Sequence, residues 1–188
     1  MVSAGDWALD IGANVGHYTL RLSEIVGERG RVIAFEPVPD AFEVLVGNAA
    51  LSSEKNITLI NAAASDSVST SGMTIPKYEE SGLDNLYLAR LSRSESGLQV
   101  LCVTVDSLDL PHPVRFVKID TEGHELSVLR GMNQLLHRDL PILLVEDNDP
   151  GVPGYLAELG YSSRKVAGSS NVIFRVEAPG ADASRSSA

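Results

Sequence analysis

The sequence is short of cysteine, of long apolar runs and of basic residues, and each shortage argues against a class of protein. The one cysteine, Cys102, allows no intrachain disulfide, and it stands in an apolar run where a thiol is usually a small buried hydrophobe. No run approaches the roughly 20 apolar residues of a membrane span, and the N-terminus has no basic segment followed by an apolar stretch. The sequence alone therefore predicts a cytoplasmic protein without a membrane span.

Acidic residues outnumber basic ones, with 25 Asp and Glu against 15 Lys and Arg and a net charge of −10. Electrostatic binding to nucleic acid or to an anionic membrane needs clustered Lys and Arg, so the composition argues against both partners. The charge favours a neutral or small partner. It leaves the oligomeric state open.

Apolar strands alternate with helical stripes along the chain, which predicts an α/β protein with a mainly parallel, doubly wound sheet. We expect seven strands, the last two forming a C-terminal antiparallel hairpin over YSSRKV and NVIFRV. The other five end at Ile11 or lie at 31–37, 57–63, 115–120 and 142–147. One helix is predicted over 121–137, with Glu122 and Glu125 in its first turn.

The predicted domain covers residues 1–178, and the tail at 179–188 is expected to be disordered because it has too few apolar residues to pack. Residues 64–97 are rich in Ser, Thr, Gly and Glu, and we predict an inserted, partly mobile loop region there. A short edge strand is predicted at 73–78 because that segment contains a proline. The following run, 97–105, returns to strand character.

A glycine-rich turn joins the first strand to the first helix in WALDIGANVGHY, residues 7–18. Gly12 and Gly16 let a ligand approach the backbone, and the free N–H groups of the helix that follows favour a polar or anionic group. Acidic residues fall at the carboxyl ends of the predicted strands, where a doubly wound sheet binds its ligand. These residues are Asp10, Glu36, Asp120, Glu146 and Asp147.

A nicotinamide dinucleotide is one candidate ligand, since Glu36 follows the glycine turn at the distance of a ribose-binding acid. However, the dinucleotide fingerprint requires glycine where Asn14 and His17 stand. A ligand with a ribose but no phosphate fits better, because Glu36 can accept hydrogen bonds from both ribose hydroxyls. S-adenosylmethionine has that shape.

Five segments together resemble the FkbM family of S-adenosylmethionine-dependent methyltransferases. They are DIGANVG (10–16), AFEP (34–37), NAAASD (61–66), TVDSL (104–108) and VKIDTEGHELSVLRG (117–131). The resemblance runs from about Gly5 to Glu146 and implies a class I methyltransferase (Rossmann-like) fold. It also implies O-methylation of a hydroxyl on a small-molecule natural product, sugar, glycan or lipid. A non-catalytic S-adenosylmethionine-binding module is the alternative from another functional class.

The resemblance implies roles for individual residues. By resemblance, one group surrounds the methionine end of S-adenosylmethionine: Asp10, Gly12, Asn14 and Gly16. Glu36 would bind the ribose, and the adenine would lie against Asn61, Ala62, Ala63 and Asp66. Relatives usually carry elements ahead of the first strand that cover the substrate. Here few residues precede it, so we expect an acceptor pocket that is open, completed by a partner subunit, or truncated.

Methyl transfer to a hydroxyl needs a base near the end of the strand at 115–120. Glu122, Asp120 and His124 are the candidates, and Lys118 is expected to pair with a neighbouring acid. An alternative is a magnesium site built from Asp120, Asp147 and Asn148, whose oxygens suit that cation. We favour the metal-free account, because Asp147 and Asn148 lie at the margin of the resemblance.

Overall fold

A computed structural model of the protein describes residues 2–79, 81–82, 84–92, 94 and 97–177, so the predicted tail at 179–188 lies outside the described residues. The strands are β1 Trp7–Ile11, β2 Arg31–Phe35, β3 Ile57–Ile60, β4 Ala63–Ala64, β5 Ser69–Thr74, β6 Arg90–Ser92, β7 Gln99–Val103, β8 Val114–Ile119, β9 Ile142–Glu146, β10 Tyr161–Lys165 and β11 Asn171–Val176. The helices are α1 His17–Val26, α2 Pro39–Leu51, α3 Glu125–Arg130, α4 Asn133–Asp139 and α5 Val152–Glu158, with short 3₁₀ turns at Leu86–Leu88 and Val105–Ser107.

Seven strands form the main sheet in the order β10-β11-β9-β8-β1-β2-β3. The five strands from β9 to β3 are parallel, and β10 and β11 form an antiparallel hairpin on β9. This confirms the predicted seven-stranded, mainly parallel sheet with its C-terminal hairpin. The carboxyl ends of β1, β2 and β8 meet at one edge, so the acids that follow these strands are brought together there.

Helices cover both faces of this sheet, as a doubly wound fold requires. On one face α1 and α2 pack through Ala8, Leu22, Val26, Val32, Ala34 and Leu45. On the other face α3, α4 and α5 pack on a larger cluster that includes Leu9, Phe35, Ile119, Leu129, Leu136 and Leu156. Burying one such large side chain stabilises the fold by about 1.5–3 kcal/mol. No helix within the described ranges is both long enough and apolar enough to cross a membrane.

A second sheet of four strands, in the order β4-β7-β5-β6, takes β5 and β6 from the region at 64–97 that was predicted to be a loop. The sequence did not indicate β5 and β6 at their observed positions because most of their side chains are polar, so there is no apolar alternation. The two strands are held instead by antiparallel backbone pairing, β5 with both β6 and β7. One buried side chain, Met73, anchors β5 on Val100 and Cys102.

The strands near the second sheet differ from their predicted bounds. The strand expected at 57–63 ends at Ile60, and Ala63–Ala64 belongs to the second sheet. The edge strand expected at 73–78 is β5, Ser69–Thr74, which ends before Pro76 because proline has no N–H to donate to the sheet. The run at 97–105 is a strand as expected, and it pairs within the second sheet.

The predicted single helix over 121–137 is wrong in its start and its continuity. It is two helices, α3 and α4, and α3 begins only at Glu125. Glu122 therefore precedes the helix, in a left-handed conformation with φ 54°. The break between the helices follows Gly131, where a Cβ would lie 1.8 Å from the carbonyl oxygen of Ser65, so the backbone contact requires glycine.

Candidate active site

A cavity of about 270 Å³ lies at the carboxyl edge of the main sheet. One side is formed by the turn after β1, the end of β2 and β4, and another by the loop after β8. The segment Leu86–Leu91 forms a third side. This segment contains a 3₁₀ turn and the start of β6 in the second sheet. Both sheets therefore contribute to one site.

The glycine turn after β1 is fixed by backbone contacts on two sides. The N–H groups of Gly12 and Ala13 both donate to the carbonyl of Phe35, at 3.1 and 2.9 Å. Gly12 has φ 76°, and a Cβ there would lie 1.8 Å from the carbonyl oxygen of Asp120. A side chain at position 12 would therefore displace the loop after β8, which explains why glycine is needed.

Asp10 supports this turn from beneath and does not line the cavity. Its carboxylate is fully buried and accepts a hydrogen bond from Thr19 Oγ1. The Nζ of Lys118 lies 3.5 Å from Asp10 and 3.2 Å from Asp120, and donates to the Gly12 carbonyl at 2.7 Å. The predicted pairing of Lys118 with an acid is confirmed, and the contact with Gly12 shows that Asp10 acts on the turn through Lys118.

Burial lowers the pKa of Lys118, but the charges of Asp10 and Asp120 more than offset this, so its pKa lies above the ordinary value. Lys118 is therefore a fixed cation at the floor of the cavity. It holds the carboxylates of two strand ends and one turn carbonyl in place.

Glu36, at the end of β2, lines the cavity with a carboxylate that both neighbouring loops hold. Its Oε2 accepts from the Asn14 N–H at 2.7 Å and its Oε1 from the Val38 N–H at 2.8 Å. Burial raises its pKa, and these two N–H groups and Lys118 partly offset the rise. Each carboxylate oxygen keeps a free lone pair, so Glu36 can still accept hydroxyl groups of a ligand.

The other residues predicted to bind the cofactor fall into two groups. Ala63 lines the cavity beside Asn14, whereas Gly16, Asn61, Ala62 and Asp66 do not. Gly16 starts α1 with φ 97°, and Asn61 donates to the carbonyl of Glu36 at 2.8 Å. Ala62 is buried, and Asp66 is exposed and accepts from Ser67. These four therefore do not face the cavity.

Three carboxyl groups converge on one side of the cavity, after β8 and at the end of β9. One oxygen each of Asp120, Glu122 and Glu146 lies within 4.8 Å of the others. Burial, then the hydrogen bond and the charge of Asp120, raise the pKa of Glu146 to about 7. Burial, then the charges of Asp120 and Glu125, also raise the pKa of Glu122. The cluster therefore retains protons at higher pH than free carboxyl groups do.

Glu122 differs from its neighbours in having an unengaged carboxylate. Asp120 is held by Lys118, and Glu146 accepts from Asn148 and Ser170. Over the described ranges, the Glu122 side chain makes no hydrogen bond or ion pair. Its left-handed backbone is held by Glu125, whose buried Oε1 accepts from the N–H groups of Thr121 and Gly123. Glu122 is thus presented to the cavity on a fixed backbone.

Titration of Glu146 should lower the free energy of unfolding as pH rises from about 4.5 to about 7. The folded state keeps the Glu146 proton up to about pH 7, whereas the unfolded chain releases it near pH 4.5. Glu36 and Glu122 add changes of the same sign. In Glu146→Gln the contribution of Glu146 to this pH dependence is absent, so the variant should lose less stability over this range than the wild type. Urea unfolding at pH 5 and pH 8 measures the difference, and the exposed Glu158→Gln should behave like the wild type.

His124 lines the cavity, and its Nε2 lies 2.9 Å from Ser65 Oγ. Burial lowers its pKa, despite the opposing charges of Asp66 and Glu125. The imidazole is therefore favoured in its neutral form, and the serine occupies one of its ring nitrogens.

The predicted magnesium ligands after β9, Asp147 and Asn148, form contacts with other side chains. The carboxylate of Asp147 lies 2.8 Å from Lys165 Nζ, and the amide of Asn148 donates to Glu146. Within the described residues, the acids close enough to share a cation are Asp120, Glu122 and Glu146. Lys118, 3.2 Å from Asp120, already supplies positive charge there.

Tyr87 and Arg90, on the second-sheet side of the cavity, are not among the site residues predicted from the sequence. Neither stands in a motif, and the surrounding segment was predicted to be a loop. A third missed contact is the amide of Asn14, which reaches the carbonyl of Leu86 at 3.4 Å and connects the glycine turn to this segment.

The order of the strands and helices is that of the class I methyltransferase fold, which solved structures of similar fold share. The sequence matches the family described as Methyltransferase FkbM domain over residues 10–163, and the chain belongs to this family.

Individual relatives agree. A curated relative, the hexuronic acid methyltransferase AglP of Haloferax volcanii, is 31% identical over 131 residues, which cover 68% of this chain and 50% of that protein. The chain thus spans about half the length of the curated relative it matches.

Two solved structures share the fold. Methyltransferase FkbM from Methylobacillus flagellatus KT superposes with a TM-score of 0.67 at 15% identity, over 93% of this chain and 44% of that chain. Fibrillarin from Aeropyrum pernix, in complex with natively bound S-adenosyl-L-methionine, superposes with a TM-score of 0.57 at 17% identity, over 93% of this chain and 68% of that chain.

Proposed function

We propose that the protein is an S-adenosylmethionine-dependent O-methyltransferase that acts on a hydroxyl of a sugar or a related small molecule. The observation that carries this proposal is the cavity itself, in which a glycine turn and a strand-end acid stand beside an unengaged carboxylate, Glu122. Membership of the FkbM domain family supports methyl transfer, and the name of the relative, hexuronic acid methyltransferase, supports a sugar acceptor.

The residues around the glycine turn fit S-adenosylmethionine. Gly12 lines the cavity without a side chain, so the turn offers bare backbone to a ligand, and Glu36 has lone pairs free for two ribose hydroxyls. Ala63 and Val38 offer small apolar surfaces for an adenine ring. When bound, S-adenosylmethionine supplies an electrophilic methyl group.

The chain's own task is to orient an acceptor hydroxyl and to take its proton. Glu122 fits the role of base because its carboxylate is unengaged and its pKa is raised by burial and by the charges of Asp120 and Glu125. Asp120 and Glu146 fit a supporting role, accepting hydrogen bonds from other hydroxyls of the acceptor. His124, paired with Ser65, is the second candidate for the base.

A metal-free reaction is part of the proposal. Asp147 and Asn148 are engaged by Lys165 and Glu146, and Lys118 neutralises Asp120. We also infer that residues 1–178 act as one domain, since both sheets line the cavity. A non-catalytic binding module and an NAD-dependent oxidoreductase are not favoured, because the first leaves Glu122 without a role and the second needs glycines that Asn14 and His17 replace.

Calorimetry and a product assay test this function together. We expect S-adenosylmethionine and S-adenosylhomocysteine to bind one site, and NADH to bind more weakly. Glucuronic acid and glucose are then incubated with S-adenosylmethionine, and mass spectrometry should detect a mass gain of one methyl group on the sugar, with or without a chelator. Tighter binding of NADH would support the oxidoreductase instead. Loss of the product in the chelator would restore the magnesium account.

A further inference from the structure

One cationic side chain on the cavity wall is not neutralised by a neighbouring acid. Lys118 is held by Asp10, Asp120 and the Gly12 carbonyl, whereas Arg90, at the start of β6, also lines the cavity. In the part of the chain that the structure describes, the Arg90 guanidinium makes no ion pair and no hydrogen bond. It is exposed and free to turn toward a ligand.

Arg90 lies near Glu122 without pairing with it. Both side chains line the cavity, and the charge of Arg90 offsets a small part of the rise in the pKa of Glu122 that burial and the neighbouring acids cause. The two groups nevertheless form no ion pair. A ligand between them would meet a carboxylate on one side and a guanidinium on the other.

The rest of the cavity wall disfavours anions. Glu36, Asp120, Glu122 and Glu146 all line it, and Lys118 is already matched by two acids. A negatively charged acceptor therefore needs a cation at its anionic end, and Arg90 is positioned to supply it. A planar guanidinium can bind a carboxylate or a phosphate with two parallel hydrogen bonds.

We infer that Arg90 holds an acidic sugar acceptor by its anionic group, so that a hydroxyl of the same sugar faces Glu122. This assignment rests on the proposed function, in which Glu122 faces the hydroxyl of the acceptor. Tyr87, 55% exposed on the same segment, adds an aromatic face to the wall beside Arg90. The structure thereby separates the two ends of the acceptor, with hydroxyls at the acid cluster and the anion at the second sheet. The anion is a carboxylate in a hexuronic acid and a phosphate in a sugar phosphate.

Ligand-observed NMR titrations test this inference on the full chain, with and without S-adenosylhomocysteine. The probes are glucuronic acid, glucose 6-phosphate and glucose. We expect the wild type to bind at least one acidic sugar roughly 10- to 100-fold more tightly than glucose, the effect of hydrogen bonds to a charged group. The stronger of the two acidic sugars identifies carboxylate or phosphate as the anion.

Variants of Arg90 complete the test. Arg90→Gln should reduce this preference to near unity, and Arg90→Lys should restore part of it, because lysine keeps the charge but not the two parallel donors. Arg164→Gln, on the exposed hairpin strand β10, is the matched control and should keep the wild-type preference. Equal binding of all three sugars by the wild type, or an unchanged preference in Arg90→Gln, would overturn the inference.

The two proposals fail in different ways. Acidic-sugar binding that depends on Arg90 without any binding of S-adenosylhomocysteine would support the Arg90 site and contradict the methyltransferase assignment. Binding of S-adenosylhomocysteine with no selectivity among the sugars would contradict the Arg90 site alone.

Discussion

Glu122→Gln is expected to slow methyl transfer by about 100-fold or more while leaving cofactor affinity nearly unchanged, the usual effect of losing a positioned base. Glutamine keeps the size of the side chain but cannot accept a proton. Because the pKa of Glu122 is raised, the wild-type rate should increase with pH as this carboxyl group ionises. The variant should lose that increase. Single-turnover rates across pH 5–8, with calorimetric cofactor affinity, measure both effects.

Parallel variants separate the candidate bases. His124→Ala should reduce the rate less than Glu122→Gln does, because Ser65 engages the imidazole. Glu158→Gln, on the exposed surface of α5, should match the wild type. Full activity of Glu122→Gln would refute the assignment, and a larger loss in His124→Ala would transfer the role to the histidine.

Cofactor affinity should fall roughly 10- to 100-fold in Glu36→Ala, because a ligand's ribose loses a charged hydrogen-bond acceptor worth about 1.5–3 kcal/mol. The structure adds a second contribution: the alanine also leaves the Asn14 and Val38 N–H groups without their partner. Glu36→Gln keeps one carbonyl oxygen and should fall between the wild type and the alanine variant. Calorimetry with S-adenosylhomocysteine gives the three dissociation constants.

The matched control is Glu43→Ala on the exposed side of α2, which should bind as the wild type does. Circular dichroism establishes that each variant is folded. If folded Glu36→Ala keeps wild-type affinity, the ribose assignment is wrong.

The centre of the main sheet could be predicted from the sequence because its inner parallel strands are buried on both faces and therefore form short continuous apolar runs. RVIAF and ILLVE are examples, each followed by an acid or ending in one. The strands β5 and β6 of the second sheet could not be predicted in this way. In β5 only Gly72 and Met73 are buried, so the strand STSGMT is stabilised mainly by backbone pairing, for which side chains give little signal.

Part of the cavity lining could also be predicted from local sequence patterns. Gly12, Asn14 and Glu36 line the cavity, and they could be named from the sequence because they stand in recognisable motifs at the ends of strands. Asp10 was identified as well, but the sequence does not show that it lies buried beside Lys118, 108 positions away on another strand. Tyr87 and Arg90 reach the cavity only because the second sheet brings them there, and no local pattern predicts such a contact.

The contact between Gly12 and the Asp120 carbonyl bears on how variants of the two loops should be interpreted. The backbones meet without room for one additional carbon atom, and Lys118 joins both loops. A shift of the glycine turn therefore requires a shift of the acid cluster, so the turn and the cluster move together. A substitution at Gly12 is for this reason expected to impair ligand binding and proton transfer together, and a substitution that impairs only one of them must act on a side chain beyond this shared backbone.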